Sequence, residues 1–231
     1  MITDVRIETY IESLSVPLPP FLEQLERQAH AQGIPIIRKS ARDLIKYALE
    51  SKQPRRMLEI GTATGFSAIF AATFGPEDLH IDTIENYAKR IEEAKKNISV
   101  SGMDGKITLI EGDALEVLED LAAKGRVYDM IFMDAAKAQY INYLPLCRKM
   151  MTDGSILISD NILFDGDIIL SRFAVRRRDR TIHARMREFL RDLSADDGLV
   201  TTILPIGDGM TMSVMKQNRK QRGIQGDHEQ A

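Results

Sequence analysis

From residue 56 onward, short apolar segments of the chain alternate with longer segments that carry apolar residues at helical spacing. The short segments are 57–60, 80–85, 106–112, 128–134 and 155–160. The longer segments are 67–74, 88–101, 114–123 and 140–151. Strands that alternate with helices in this way pair in parallel through right-handed crossovers. The pattern therefore predicts an α/β fold built around a mostly parallel sheet.

The C-terminal part of the chain follows a different pattern. A predicted helix at 181–193 is followed by two apolar segments, 200–206 and 210–215, which flank a Gly-Asp-Gly sequence at 207–209. Two strands joined by such a turn form an antiparallel hairpin. We therefore expect a sheet of seven strands that is mostly parallel and ends in an antiparallel hairpin.

The N-terminal part is expected to be helical. Apolar spacing predicts helices at 7–14, 21–29 and 41–51. Ser40, with Asp43 three residues later, resembles a capping box at the start of the third helix. Because no repeat or long linker divides the chain, we expect a single domain over 1–217, with a helical part over 1–53. Residues 218–231 are expected to be a disordered tail.

Composition and cysteine usage are those of an intracellular globular protein. The chain has 231 residues, of which 44% are hydrophobic and 28% charged, enough for one α/β domain with a core. Its one cysteine, Cys147, excludes an internal disulfide and suits a reducing compartment. Neither a signal peptide nor a membrane-spanning run is recognisable, so we expect a cytoplasmic protein without a membrane partner.

Basic residues are concentrated in one segment, although the net charge of the whole chain is -3. Residues 172–191 include eight arginines and only two acids. Such an asymmetry indicates either an anion-facing surface or a solvated helix face. The candidate RNA contacts in this segment are Arg172, Arg176, Arg177, Arg178 and Arg180.

Small and acidic residues follow the first three predicted strands. The first strand leads into a G-x-x-x-G sequence from Gly61 to Gly65, which differs from the G-x-G-x-x-G of dinucleotide sites. The second strand ends in Glu85, whose carboxylate could accept hydrogen bonds from ribose hydroxyls, and the third leads to Asp113 and Ala114. Ligands of such sheets bind beyond the carboxyl ends of the strands. The three features together predict a nucleotide-like cofactor, with S-adenosylmethionine (SAM) favoured over NAD.

Oxygen ligands follow the fourth and fifth strands. The fourth delivers Asp134 and, three residues later, Lys137; the fifth delivers Asp160 and Asn161. Carboxylate and amide oxygens without a nearby cysteine or histidine suit Mg²⁺ or Mn²⁺ better than Zn²⁺. The sequence therefore predicts a divalent metal site at this edge of the sheet.

These motifs resemble those of a known enzyme family. LEIGTATGFSA at 58–68, D-A-A-K at 134–137 and S-D-N at 159–161 are similar to the cation-dependent O-methyltransferases, which include catechol and caffeoyl-CoA O-methyltransferases. The resemblance covers about residues 20–216 and implies a Rossmann-like class I methyltransferase fold. It also implies a SAM site made of Glu59, Gly61, Ser67, Glu85, Gly112, Asp113, Ala114 and Asp134.

The resemblance further implies the roles of the polar residues after strands four and five. Asp134, Asp160 and Asn161 would hold the metal, and Asp134 and Lys137 would be catalytic, with Lys137 as the general base. A metal bound to two vicinal substrate oxygens makes the hydroxyl more acidic and directs it at the methyl group. The alternative interpretation of Lys137 is a surface lysine paired with an acid.

Within this family, three further segments resemble the bacterial branch that methylates 5-hydroxyuridine at the tRNA wobble position to 5-methoxyuridine. They are I-E-T-Y-I-E-S-L at 7–14, H-A-Q-G-I-P-I-I at 30–37 and L-P-I-G-D-G-M at 204–210. The partner would then be tRNA, and Phe66, Tyr140 and Phe164 are candidates to stack on a base. A small catechol-like substrate and a non-catalytic SAM-binding regulator remain alternatives. The N-terminal helices suggest a homodimer.

Overall fold

A seven-stranded sheet forms the centre of the protein in the computed structural model, which describes residues 4–217. The strands are β1 (Arg56–Ile60), β2 (His80–Glu85), β3 (Ile107–Glu111), β4 (Tyr128–Met133), β5 (Met151–Ser159), β6 (Leu199–Leu204) and β7 (Met210–Met215). Their order is β3-β2-β1-β4-β5-β7-β6. The first five run parallel, and β7 is antiparallel to both β5 and β6. The predicted Rossmann-like sheet with its C-terminal hairpin is confirmed.

Eight α-helices surround the sheet in the described part of the chain. They are α1 (Val5–Ser13), α2 (Pro20–Ala31), α3 (Lys39–Lys52), α4 (Phe66–Phe74), α5 (Ala88–Ser101), α6 (Ala114–Ala123), α7 (Tyr140–Lys149) and α8 (Arg180–Ala195). Short 3₁₀ helices precede α7 and α8. Among residues 4–217, no helix is both long enough and apolar enough to cross a membrane. The tail predicted at 218–231 lies outside the described residues.

The predicted capping box at the start of α3 is wrong. The helix begins at Lys39, and its first turn receives no hydrogen bond from a capping side chain. The Asp43 carboxylate instead accepts a hydrogen bond from the Ser15 hydroxyl at 2.5 Å, which ties the segment after α1 to α3. The Asp43 side chain, which the local pattern assigned to the helix cap, therefore makes a tertiary contact instead.

The sheet is buried on both faces because helices cover each of them. Met130 and Phe132 of β4 pack with the layer that contains α2, α3 and α4. Ile131 and Met133, which alternate with them, pack with the layer that contains α6, α7 and α8. Side chains of a strand point alternately to opposite faces, so a strand buried on both faces is apolar throughout. This explains why Met130–Met133 of β4 and 156–158 of β5 appear as continuous apolar runs in the sequence.

Polar residues are gathered where the parallel strands end. The backbone N–H of Asp134 donates to the Ile60 carbonyl at 3.0 Å, and that of Asp160 donates to the Met133 carbonyl at 2.9 Å. These bonds extend the β1–β4 and β4–β5 ladders by one residue. The strand order reverses at β1, which lies between β2 and β4. A reversal of this kind opens a crevice for ligands at the carboxyl ends of the strands.

Candidate active site

Gly61 allows the end of β1 to lie against the end of β4. Its φ is +100°, and a Cβ at this position would lie 2.0 Å from the Asp134 carbonyl oxygen. An L-residue would therefore be strained by its backbone angles and would also collide with the residue proposed as a metal ligand. Gly61 therefore allows the predicted cofactor loop to pack directly against the predicted metal site.

Glu85 orders the same loop from the end of β2. Its carboxylate accepts hydrogen bonds from the backbone N–H of Ala63 at 2.8 Å and from those of Asn86 and Tyr87 at 3.0 Å. Each carboxylate oxygen has more than one lone pair, so ribose hydroxyls can still donate to it. The structure places Glu85 beside the glycine loop, where the sequence predicted it.

Glu59 is a fully buried carboxyl at the base of the loop. Its Oε2 accepts a hydrogen bond from the Thr83 hydroxyl at 2.5 Å, whereas Oε1 has no partner among the described residues. Burial raises the pKa of Glu59 to about 7, and the nearby Ser67 hydroxyl and the hydrogen-bonded Thr83 hydroxyl offset part of that rise. A buried carboxyl with an unpaired oxygen fits a cationic ligand, and SAM carries both an ammonium and a sulfonium group.

The segment after β3 forms the start of α6. Asp113 caps this helix by accepting a hydrogen bond from the Leu115 N–H at 2.9 Å, and Gly112 donates its N–H to the Glu85 carbonyl at 2.9 Å. Gly112, Asp113 and Ala114 therefore lie next to Glu85, at the same edge of the sheet. Their contact with an adenine ring stays a prediction.

Asp134 follows β4, Asp160 and Asn161 follow β5, and the two aspartates are close enough to interact; their binding of a metal stays a prediction. Asp160 is buried, Asp134 and Asn161 are half-buried, and the Asp160 carboxylate accepts the Asn161 N–H at 2.6 Å. Burial raises the pKa of both aspartates, and the Asp134 charge raises the pKa of Asp160 further. The Tyr140 hydroxyl donates to the Asp160 carbonyl at 3.0 Å and so fixes the backbone there.

The three residues fit a hard divalent cation. A cation between two buried carboxylates would relieve the repulsion and the desolvation that raise their pKa values. Residues 4–217 contain no cluster of three His, Cys, Asp or Glu side chains that could hold a metal. A metal at this point would therefore need the Asn161 amide or a substrate oxygen in addition to the two acids, which is a donor set that Mg²⁺ accepts.

Lys137 lies beside this cluster and is held by an acid that the sequence interpretation missed. Its Nζ lies 3.3 Å from Oδ2 of Asp208, which is 4% exposed, and 5.5 Å from the centre of the Phe164 ring. Oδ1 of Asp208 accepts the Asp165 N–H at 2.5 Å. The sequence identified 207–209 only as a hairpin turn. The pairing of β7 with β5 brings that turn to the site, and sequence order does not reveal this pairing.

Two of the three candidate stacking aromatics are not available to a ligand. Phe66 and Tyr140 are buried in the two core layers, because their rings are needed for packing. Phe164 is half-buried beside Lys137, which leaves part of its ring accessible. The sequence interpretation missed Phe173, which is 84% exposed within the arginine segment.

The arginine segment lies on the surface before α8 and along it. Arg172, Arg176, Arg177 and Arg178 are exposed. Arg180 is folded back, since its guanidinium donates to the carbonyls of Val175 and Phe173, both at 3.3 Å. Arg172, Arg176 and Arg177 are free to meet an anion, whereas Arg178 lies 3.6 Å from the Asp179 carboxylate and Arg180 mainly supports the loop. Their contact with RNA stays a prediction.

Known proteins similar to this chain are methyltransferases. The model of an O-methyltransferase family matches residues 12–216. The caffeoyl-CoA O-methyltransferase of Stellaria longipes is 29% identical over 174 residues, which cover 74% of this chain and 72% of that protein.

Two crystal structures share the fold. A Staphylococcus aureus protein provisionally named caffeoyl-CoA O-methyltransferase has a TM-score of 0.84 at 30% identity, over 91% of this chain and 99% of that one. A Bacillus cereus O-methyltransferase in complex with SAH has a TM-score of 0.81 at 24% identity, over 94% of this chain and 100% of that one. Because the sequence identity to the Bacillus cereus protein is only 24%, this similarity supports the fold alone.

The match to the family covers most of the chain and includes both groups of motifs. Residues 12–216 contain the glycine loop, the acid at the end of β2 and the Asp134, Asp160 and Asn161 cluster. The resemblance inferred from those motifs is confirmed at the level of the family. The chain therefore belongs to the SAM-dependent O-methyltransferases.

Proposed function

We propose that the protein transfers a methyl group from SAM to O5 of 5-hydroxyuridine at the tRNA wobble position, in the presence of Mg²⁺ or Mn²⁺. The observation that carries the chemistry is the convergence of Lys137, held by Asp208, with the Asp134, Asp160 and Asn161 cluster. 5-Hydroxyuridine presents O4 and O5 as vicinal oxygens, much as a catechol presents two hydroxyls. A metal bound there would supply Lewis acidity to the hydroxyl.

The side chains of the site would bind the metal, remove the substrate proton and bind SAM. Asp134, Asp160 and Asn161 would hold the metal, and the Lys137 amine would take the proton from the substrate hydroxyl. The oxygen then forms its bond to the methyl carbon as the bond between that carbon and sulfur breaks, which leaves SAH. Asp208 keeps the Lys137 amine directed into the site. Glu59 and Glu85 would bind the cationic and ribose parts of SAM.

The choice of tRNA rests on the arginine segment. Arg172, Arg176, Arg177 and Arg178 are exposed together with Phe173, so positive charges and an aromatic ring occur on one surface. Guanidinium groups bind phosphates, and exposed aromatic rings stack on unpaired bases. A tRNA substrate implies that the enzyme works in the cytoplasm.

A small catechol-like substrate is the second candidate. It is favoured by the similarity to the Stellaria caffeoyl-CoA O-methyltransferase. The site chemistry is the same for both candidates, since each substrate presents two vicinal oxygens. The outer surface of the protein must therefore distinguish them.

The apolar face of α1 supports a homodimer. Ile7, Tyr10 and Ile11 lie on one side of α1 with Leu14, which directly follows the helix, and all four are at least 49% exposed. An apolar helix face of this kind is typical of a protein interface. We expect light scattering to give the mass of a dimer for the wild type and of a monomer for Tyr10→Glu/Leu14→Glu. A monomeric wild-type protein would contradict this part of the proposal.

Mass spectrometry of tRNA nucleosides tests the substrate. Cells that lack the gene should lose 5-methoxyuridine and accumulate 5-hydroxyuridine. The wild-type gene should restore the modification, whereas a Lys137→Met variant, which binds SAM but has no base, should not. Unchanged 5-methoxyuridine in the deletion strain, with turnover of a free catechol by the purified protein, would replace the first candidate with the second.

A further inference from the structure

A cavity of about 680 Å³ lies between the segment that follows β5 and the exposed side of α8, and it is lined by none of the residues of the methyl-transfer site. Leu170, Ser171 and Arg172 form one wall. The other wall is α8, which contributes residues spaced by one helical turn: His183, Ala184, Arg187, Glu188 and Arg191. Three arginines thus face the cavity against a single acid.

The buried histidine in this wall has no protein partner. His183 is 2% exposed, and neither of its ring nitrogens hydrogen-bonds any residue in the described part of the chain. Burial of a polar group without a hydrogen bond is unfavourable. Both ring nitrogens are covered by neighbouring atoms, so His183 contributes to the wall of the cavity and does not donate into it.

The arginines of the cavity are only partly committed to protein acceptors. Arg187 donates one N–H to the Ile168 carbonyl at 2.9 Å, which anchors it and leaves other N–H groups for a ligand. Arg191 pairs weakly with its neighbour Asp192, at 3.3 Å on the surface. Arg172 makes no hydrogen bond or ion pair with residues 4–217. Like charges one helical turn apart repel each other, and an anion between them removes that cost.

We infer that this cavity binds a phosphate group, with Arg172, Arg187 and Arg191 as its donors. Several guanidinium groups around one space match the multiple acceptor oxygens of a phosphate. Arg172 lines the cavity and also belongs to the exposed arginine segment before α8, which favours a phosphate that is part of an extended polyanion. Its source is the phosphodiester backbone of the substrate RNA, an assignment that rests on the proposed function.

The first experiment uses inorganic phosphate as the probe. At constant ionic strength, phosphate at about ten times its dissociation constant should raise the Tm of the wild-type protein by about 3 °C. Arg172→Ala/Arg191→Ala should lose this shift, and both side chains are exposed, so the fold should survive. Arg27→Ala/Arg55→Ala removes the same number of charges from exposed positions elsewhere and should keep it. An equal shift in all three proteins would overturn the inference.

The second experiment identifies the source of the phosphate. Binding of an anticodon stem-loop RNA that contains 5-hydroxyuridine is measured against salt concentration. The Arg172→Ala/Arg191→Ala protein should bind about tenfold more weakly, and its log–log salt slope should fall by about 0.9 for each RNA phosphate that it no longer neutralises. If the cavity variant alone loses the phosphate shift and no protein binds the RNA, the phosphate site stands and the proposed tRNA function fails. If the Arg172→Ala/Arg191→Ala protein binds the RNA with the affinity of the wild type, the assignment of the phosphate to the RNA backbone is overturned.

Discussion

At the scale of single residues, Asp208 holds the amine that the chemistry needs. It is buried, it faces Lys137 with one oxygen, and its other oxygen accepts the Asp165 N–H. An asparagine would keep an acceptor for Asp165 while removing the charge beside Lys137. Asp208 is thus a positioning residue whose role can be separated from that of the fold.

We expect Asp208→Asn to lower kcat about 10- to 100-fold with little change in KM for SAM, because the amine loses its fixed orientation. Asp208→Glu, which keeps the carboxylate, should recover part of the loss. Steady-state kinetics with saturating substrate measures both constants. A variant with normal kcat would show that Lys137 does not depend on Asp208.

Glu59 makes stability depend on pH. Its folded-state pKa of about 7 lies above the ordinary value of 4.5, so the folded state binds a proton that the unfolded state has already released. The contribution of this group to stability is full below pH 4.5 and is lost as pH rises through 7. The loss reaches about 3 kcal/mol at pH 8 in the absence of a ligand.

Glu59→Gln removes this titration. The variant should be more stable than the wild type at pH 8 by up to about 3 kcal/mol and by less than about 1 kcal/mol at pH 5. Urea denaturation of the ligand-free proteins at both pH values provides the comparison. A stability difference that is the same at both pH values would mean that Glu59 is already ionised in the folded protein.

At the scale of elements, the glycine after β1 sets the distance between the cofactor loop and the metal site. Gly61→Ala should lower the free energy of unfolding by about 3 kcal/mol, because φ is positive and the new Cβ would meet the Asp134 carbonyl. The matched control is Gly105→Ala. A Cβ on Gly105 would have no other atom within 4 Å, so this variant should change stability by less than about 0.5 kcal/mol. Similar losses in both variants would show that the close approach of β1 to β4 is unimportant.

The elements also show which features the sequence can predict. Asp134 and Asp160 could be chosen from among many acids because each directly follows an apolar run that must be a buried strand. The order of the parallel strands then brought them together without further information. Asp208 and Phe173 were missed because each lies in a turn or loop, where position depends on tertiary packing. Ser40 was misassigned for the same reason, since Asp43 is used by Ser15.

At the scale of the whole molecule, the chain carries one reaction centre at the carboxyl edge of its sheet and a basic surface around α8. The fold and family follow from the strand ends, whereas the substrate depends on that outer surface. The sequence alone does not show which aromatic rings can stack on a substrate base. The rings of Phe66 and Tyr140 lie next to site motifs in the sequence but belong to the core. Only burial, which requires the complete packing, separates a core ring from a stacking ring.

The central claim is that Asp134, Asp160 and Asn161 hold the cation that activates a substrate hydroxyl. The direct test is the formation of 5-methoxyuridine from SAM and an anticodon stem-loop RNA containing 5-hydroxyuridine, measured by mass spectrometry with Mg²⁺ present. The wild type should form the product, a chelator should abolish it, and Asp160→Asn should reduce it at least about 100-fold while still binding SAM. Product formation by Asp160→Asn at the wild-type rate would contradict the account.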